Sequence, residues 1–157
     1  MEKFLEYLKT AEEKIQTVDH MIYVTFPLIK DKRLLLKILS EINLIILNII
    51  NSILQYEYLC KRINLTKDAK ENLRIFIEEC APRYQIVEQD INLILEILDI
   101  TKKHKESPFE FIKEEKVVIL SENLKPTTIT LDKSKEFLFM SKNILKKTKE
   151  TMQKDRL

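Results

Sequence analysis

The sequence predicts an all-α protein: an antiparallel bundle of about five helices with a small β-hairpin before the last one, in a single domain over residues 1–157. Three observations carry this. The run Asp31 to Ile63 contains no Pro or Gly and is apolar around most of its circumference. Proline residues 27, 82 and 108 cut the rest of the chain into helix-length pieces. Two β-branched runs stand side by side just before the final helical pattern.

The Asp31–Ile63 run reads as one helix about 50 Å long at ~1.5 Å per residue. Its polar stripe is narrow, formed by Lys37, Glu41, Asn48, Ser52 and Gln55. A helix that is apolar nearly all round must be enclosed by other elements. A membrane span needs ~20 mostly apolar residues, whereas Glu41 and Glu57 bracket a shorter stretch holding Asn43, Asn48 and Asn51. The buried-helix reading is therefore preferred, and no span is expected. The three amides are expected to be hydrogen-bonded and to fix helix register.

In the first helix Phe4, Leu8, Ala11, Ile15, Val18 and Ile22 recur at alternating spacings of four and three, a heptad-like seam. Pro27 is expected to end it, leaving Phe26 to Lys30 as a connection and Asp31 as N-cap of the central helix. After a turn at Asn64 and Leu65, Thr66 is the expected N-cap of a third helix with core residues Ala69, Leu73, Phe76, Ile77 and Cys80. Pro82 breaks the chain. A fourth helix runs from about Val87 to Lys103, with Val87, Ile91, Ile94, Leu95 and Leu98 inward and Asn92, Glu96, Asp99 and Lys103 outward.

Lys116–Leu120 and Thr127–Leu131 then read as a hairpin, an insert over about 116–131 joined by a wide turn. A lone hairpin is marginally stable, so it must lie on the bundle, with Phe109 and Phe111 as packing handles. Asp132 opens the last helix, where Leu131, Leu138, Leu145 and Met152 repeat every seven residues beside Phe137 and Ile144.

Composition excludes more than it asserts. The chain has no Gly, so a dinucleotide fingerprint, a Walker-type phosphate loop, a glycine-bearing EF-hand loop and a G-x-S-x-G elbow are all absent. Cys60 and Cys80 match no zinc spacing and are expected to be reduced core residues, too far apart for a disulfide. Neither a metal nor a cofactor is implied. The segment Met1 to Thr10 is charged and amphipathic, unlike a signal peptide, which places the protein in the cytoplasm.

Net charge is +2, but residues 102–157 carry 14 basic and 9 acidic groups, a local +5. A basic C-terminal helix can attract RNA or an acidic protein partner weakly, although a solvated lysine face is the commoner explanation of such a run. The densest chemical candidate is Asp19, His20 and Tyr23 at the end of the first helix, with Arg33 able to approach from the next. His104, among lysines, reads as a residue stabilised by a helix C-terminus. The adjacent pairs Glu78–Glu79 and Glu114–Glu115 point apart and make no acid–base dyad.

The segments from Val18 to Asp31 and from Ser107 to Phe111, with the strand that follows, resemble a group of small uncharacterised archaeal all-helical proteins whose bundle is similar to the HEPN domain. That resemblance implies a homodimeric helical bundle and, where the HEPN ribonuclease motif is present, cleavage of RNA by an Arg and a following His with four to six residues between them. Here Ile97, Leu98 and Asp99 stand at the matching positions before His104, and no Arg precedes His20, so no catalytic residue carries over. The expected role is a non-catalytic, self-associating interaction or adaptor protein. A HEPN-like RNA-processing or toxin-type ribonuclease is the alternative.

Overall fold

A computed structural model describes residues 2–106, 109–113, 116–120 and 126–157. Among them, five rods of helix form a mostly α bundle with a small antiparallel sheet ahead of the last rod. The first rod is α1 (Lys3–His20), a π-helical turn (Met21–Thr25) and the single turn α2 (Phe26–Ile29). The central helix α3 (Leu34–Leu59) follows, then α4 (Ala69–Ile75) with a second π turn (Phe76–Cys80), then α5 (Glu88–Glu106). Strands β1 (Phe109–Lys113), β2 (Lys116–Leu120) and β3 (Pro126–Thr130) precede α6 (Leu131–Asp155).

The α1 seam is buried at all six positions from Phe4 to Ile22 and packs along α3, which also contacts α5 and α6. Cross-helix pairs set the directions. Phe4 meets Tyr56 and Lys14 meets Glu41, so α1 and α3 are antiparallel, and the pairs Glu12–Lys149 and Asp19–Lys142 make α1 and α6 antiparallel. The helix α3 is long and apolar enough to cross a membrane by length and composition, and half of its most apolar window is buried in the bundle.

In α6 the sevenfold repeat of leucines and Met152 is interleaved with a second, Ser134, Ser141 and Thr148, all buried. Each hydroxyl donates to the carbonyl four residues back, at 3.0, 2.8 and 2.8 Å, so its polarity is satisfied inside its own helix. Small side chains at alternate seam positions let a neighbouring helix approach closely, as small residues do at helix crossings.

The expected hairpin is β2 and β3, paired antiparallel with Val117 opposite Ile129, and β1 adds a third strand on the other side of β2. Val117, Ile119 and Ile129 join the helical core. The handles Phe109 and Phe111 fall on side chains outside those described.

Several local expectations need correction. Pro27 does not end the first rod. The π turn hands the chain on through a hydrogen bond from the Phe26 amide to the Met21 carbonyl, and Pro27 then sits in the first turn of α2, where proline is tolerated. The rod stops instead at Lys30, in the left-handed conformation at φ 54°. Asp31 accepts from the Arg33 amide with its side chain and from the Leu34 amide with its carbonyl, so it caps the turn that leads into α3, and the helix proper begins at Leu34. At α4 the cap is Asp68 in place of Thr66, accepting from the Lys70 amide, and Ala69 is exposed. In α5 the buried line is Ile91, Ile94, Ile97 and Ile100, which turns Val87 and Leu95 outward. Ser52, expected on the outer stripe, is fully buried and donates to the Ile49 carbonyl at 2.7 Å. Of the three helix amides only Asn43 is buried, and Asn48 is satisfied by the Leu44 carbonyl at 2.7 Å.

With no glycine available, three helix ends adopt left-handed backbone on other residues: Lys30, Lys61 and Gln85, at φ 54°, 60° and 56°. Each stores roughly 1 kcal/mol or more that glycine would avoid.

Candidate functional site

The four residues singled out at the end of the first rod are each engaged by a different neighbour. Lys142 of α6 donates to Asp19 at 2.5 Å. His20 is exposed, its Nδ1 3.3 Å from the Thr25 hydroxyl. The Tyr23 ring lies under the Lys135 ammonium, 5.4 Å from centroid to nitrogen. Arg33 is held by Asp31 through two bonds of 3.2 and 3.1 Å, which raises the guanidinium pKa and lowers that of the carboxyl. Asp19 and Tyr23 are thus drawn to α6, and the imidazole is not set between an acid and a cation. His104 lies in the last turn of α5.

The strongest cluster of ionisable groups is one that sequence reasoning missed. Glu57, only 2% exposed, sits near the C-terminal end of α3. The helix ends at Leu59, and left-handed Lys61 turns the chain so that the Arg62 amide returns to the Glu57 carbonyl at 3.0 Å. Arg62 Nε then donates to Glu57 Oε2 at 2.6 Å, while Arg83, just after Pro82, brings Nε to within 3.0 Å of Oε1. Asp155 at the end of α6 completes the figure, accepting from Arg83 at 2.6 Å on Oδ1 and from Arg62 at 3.2 Å on Oδ2. The four charges alternate in a closed ring, Glu57, Arg62, Asp155, Arg83.

Burial opposes the Arg62 charge, but Glu57 and Asp155 outweigh it and hold the guanidinium above its ordinary range. Tyr56 donates to Asp155 as well, and burial followed by that hydrogen bond pushes its phenol up. Donation from Tyr56, with the two arginines, keeps the Asp155 carboxyl below its usual range. Beneath the ring lie Cys80 and Tyr84. Burial, reinforced by Glu57, pushes the Cys80 thiol up to about 12 and raises the Tyr84 phenol, whose buried oxygen has no hydrogen-bond partner among the described residues. With its guanidinium donors aimed at carboxylates and its phenols and thiol held neutral, the ring presents no activated nucleophile or base. It fastens the ends of α3 and α6 to the turn after α4. A sequence signal existed: Glu57 is seven residues after Ile50 and four after Ile53, on the buried line of α3.

Cys60 and Cys80 are both free thiols, but Cys60 is exposed, contrary to expectation. Because α3 ends before it, Cys60 lies at the cap and not in the wall between helices.

A further feature is apolar. Leu47 and Leu54 of α3, Leu73 of α4 and Leu98 of α5 line a groove of about 320 Å³, with Asn51 and Asn72 among its polar lining. Leu44, Leu47 and Leu95 are 39, 37 and 39% exposed, so α3 and α5 carry apolar surface beyond the groove itself. Comparison of the chain with protein-family models, with curated proteins and with solved structures finds no match in any of the three.

Proposed function

We propose that the protein is a non-catalytic interaction protein that self-associates, as a homodimer in the simplest case, through the apolar face of α3 and α5. The observation that carries this reading is the leucine-lined groove: the most hydrophobic helix of the chain leaves Leu44 and Leu47 uncovered, as α5 leaves Leu95, and a second apolar helix face would remove them from water. Scattered exposed leucines are ordinary on a protein surface, but a contiguous apolar groove among three helices marks an interaction site. The charged clusters support the same reading, since each carboxylate and guanidinium of the Glu57 ring is spent on structure.

Sedimentation equilibrium tests it. The parent protein is expected to sediment as a dimer or larger assembly, and Leu47→Asp as a monomer with an unchanged circular dichroism spectrum. A monomeric parent at high micromolar concentration sinks the proposal.

A further inference from the structure

We propose that the α2 turn is a docking tip for anionic lipid surfaces. Leu28 and Ile29, the last two residues of the first rod, are 80 and 63% exposed, and Tyr23 and Val24 one turn earlier are 53 and 44% exposed. Four large apolar side chains therefore stand uncovered at one end of the bundle. A leucine with four-fifths of its surface in solvent projects from its surroundings, and no wall of a groove flanks it. A projecting aliphatic pair suits insertion into a soft interface better than the shaped pocket of a protein partner.

The neighbouring charges point to the same occupant. Lys30, Lys32 and Arg33 follow the aliphatic pair directly, opposed by Asp31 alone. Asp31 is committed to Arg33, and Lys30 and Lys32 form no ion pair among the described residues. Lys30 is placed by its left-handed backbone, which reverses the chain immediately after Ile29. Lys135 of α6, stacked on Tyr23, adds a cation on the side of the tip. Apolar side chains that enter the acyl boundary, a tyrosine at headgroup level and lysines around them form the arrangement that holds peripheral proteins on anionic bilayers. Nucleic acid would use the lysines but would gain little from Leu28 and Ile29. The tip shares no residue with the groove of α3 to α5, so this inference and the self-association proposal stand or fall separately.

The test is co-sedimentation of the full chain with sucrose-loaded vesicles of phosphatidylcholine alone and of phosphatidylcholine mixed with phosphatidylglycerol. Binding is expected to the mixed vesicles, to weaken at high salt, and to be much lower on the neutral ones. Leu28→Asp with Ile29→Asp should lower the partition coefficient by about tenfold or more, given the transfer free energy of two aliphatic side chains. Lys30→Glu with Lys32→Glu should lower it by about tenfold on mixed vesicles only. All four positions lie outside the buried core, and a circular dichroism melt checks each variant. No binding to either vesicle overturns the proposal, as does full binding by the Leu28→Asp, Ile29→Asp variant. A shift of that variant from dimer to monomer without any vesicle binding by the parent assigns the tip to a second copy of the chain and also overturns it.

Discussion

The Tyr56 phenol donates to Asp155 Oδ2 at 2.5 Å, joining the end of α3 to the end of the last helix across 99 residues of sequence. Through Asp155 the bond is continuous with the ring of Glu57, Arg62 and Arg83, so three separate segments are held at one pole of the bundle.

The two signs in that ring are not equally replaceable. Glu57 is 2% exposed, whereas the Arg62 and Arg83 side chains are 32 and 38% exposed. Glu57→Gln leaves guanidinium groups that water can reach, at a cost of about 1–3 kcal/mol. Arg62→Ala with Arg83→Ala leaves a buried carboxylate without a counter-charge, at about 3–5 kcal/mol. Urea unfolding should rank the arginine double variant as the less stable, and the reverse order would show that Glu57 is not buried as described.

Asp155 makes the stability sensitive to acid. Its folded pKa is lowered from the ordinary 3.8, chiefly by the Tyr56 hydrogen bond, so the folded state holds its proton less tightly than the unfolded one. The corresponding stabilisation is complete above about pH 4 and is lost as pH falls through the depressed folded value. Asp155→Asn should flatten this acid limb in a series of melts below pH 5, while leaving the slope near neutrality unchanged.

The two thiols should be distinguishable chemically. Cys60 is exposed and should react with dithionitrobenzoate in the native protein at pH 8, whereas Cys80, buried with its pKa pushed up to about 12, should react only after unfolding. A count of one thiol native and two in denaturant is expected. Two fast-reacting thiols in the native protein would mean that the turn after α4 opens readily.

Glycine at a left-handed helix end should help. Lys61→Gly and Gln85→Gly relieve backbone strain at φ 60° and 56°, against the larger chain entropy that glycine brings to the unfolded state. A gain of about 0.5–1 kcal/mol at each site is expected by chemical denaturation. Lys61 is the more informative, since its turn directs Arg62 to Glu57, and a loss of stability there would show that the lysine side chain matters more than its backbone.

The interaction reading also predicts what the protein does not do to RNA. Weak binding is expected through Lys142, Lys146, Lys147, Lys149 and Lys154 on α6 and Arg156 just after it, fading steeply with salt as counterion release requires. Single-stranded RNA and transfer RNA should stay intact over hours, and His20→Ala, an exposed position, should change neither solubility nor that binding. Cleavage that disappears in His20→Ala would instead support the HEPN-like ribonuclease, with a proton moved by His20 worth about 10² to 10⁴-fold.

Much of the fold was legible along the chain because helix seams and strand alternation are local periodicities. The α1 line from Phe4 to Ile22, the α6 repeat of Leu131, Leu138, Leu145 and Met152, and the pairing of Lys116–Leu120 with the next β-branched run follow from side-chain spacing alone. So did the breaks near Asn64 and Pro82, where turn residues interrupt the pattern. Tertiary structure decided the rest. A proline's effect depends on where it falls within a turn, and the π turn before Pro27 moved it to a tolerated position. Ends of helices decided whether Cys60 was in a wall or at a cap. Above all, residues 57, 62, 83 and 155 meet only when three segments dock, since a charge's partners are set by distance in space and no periodicity records that distance.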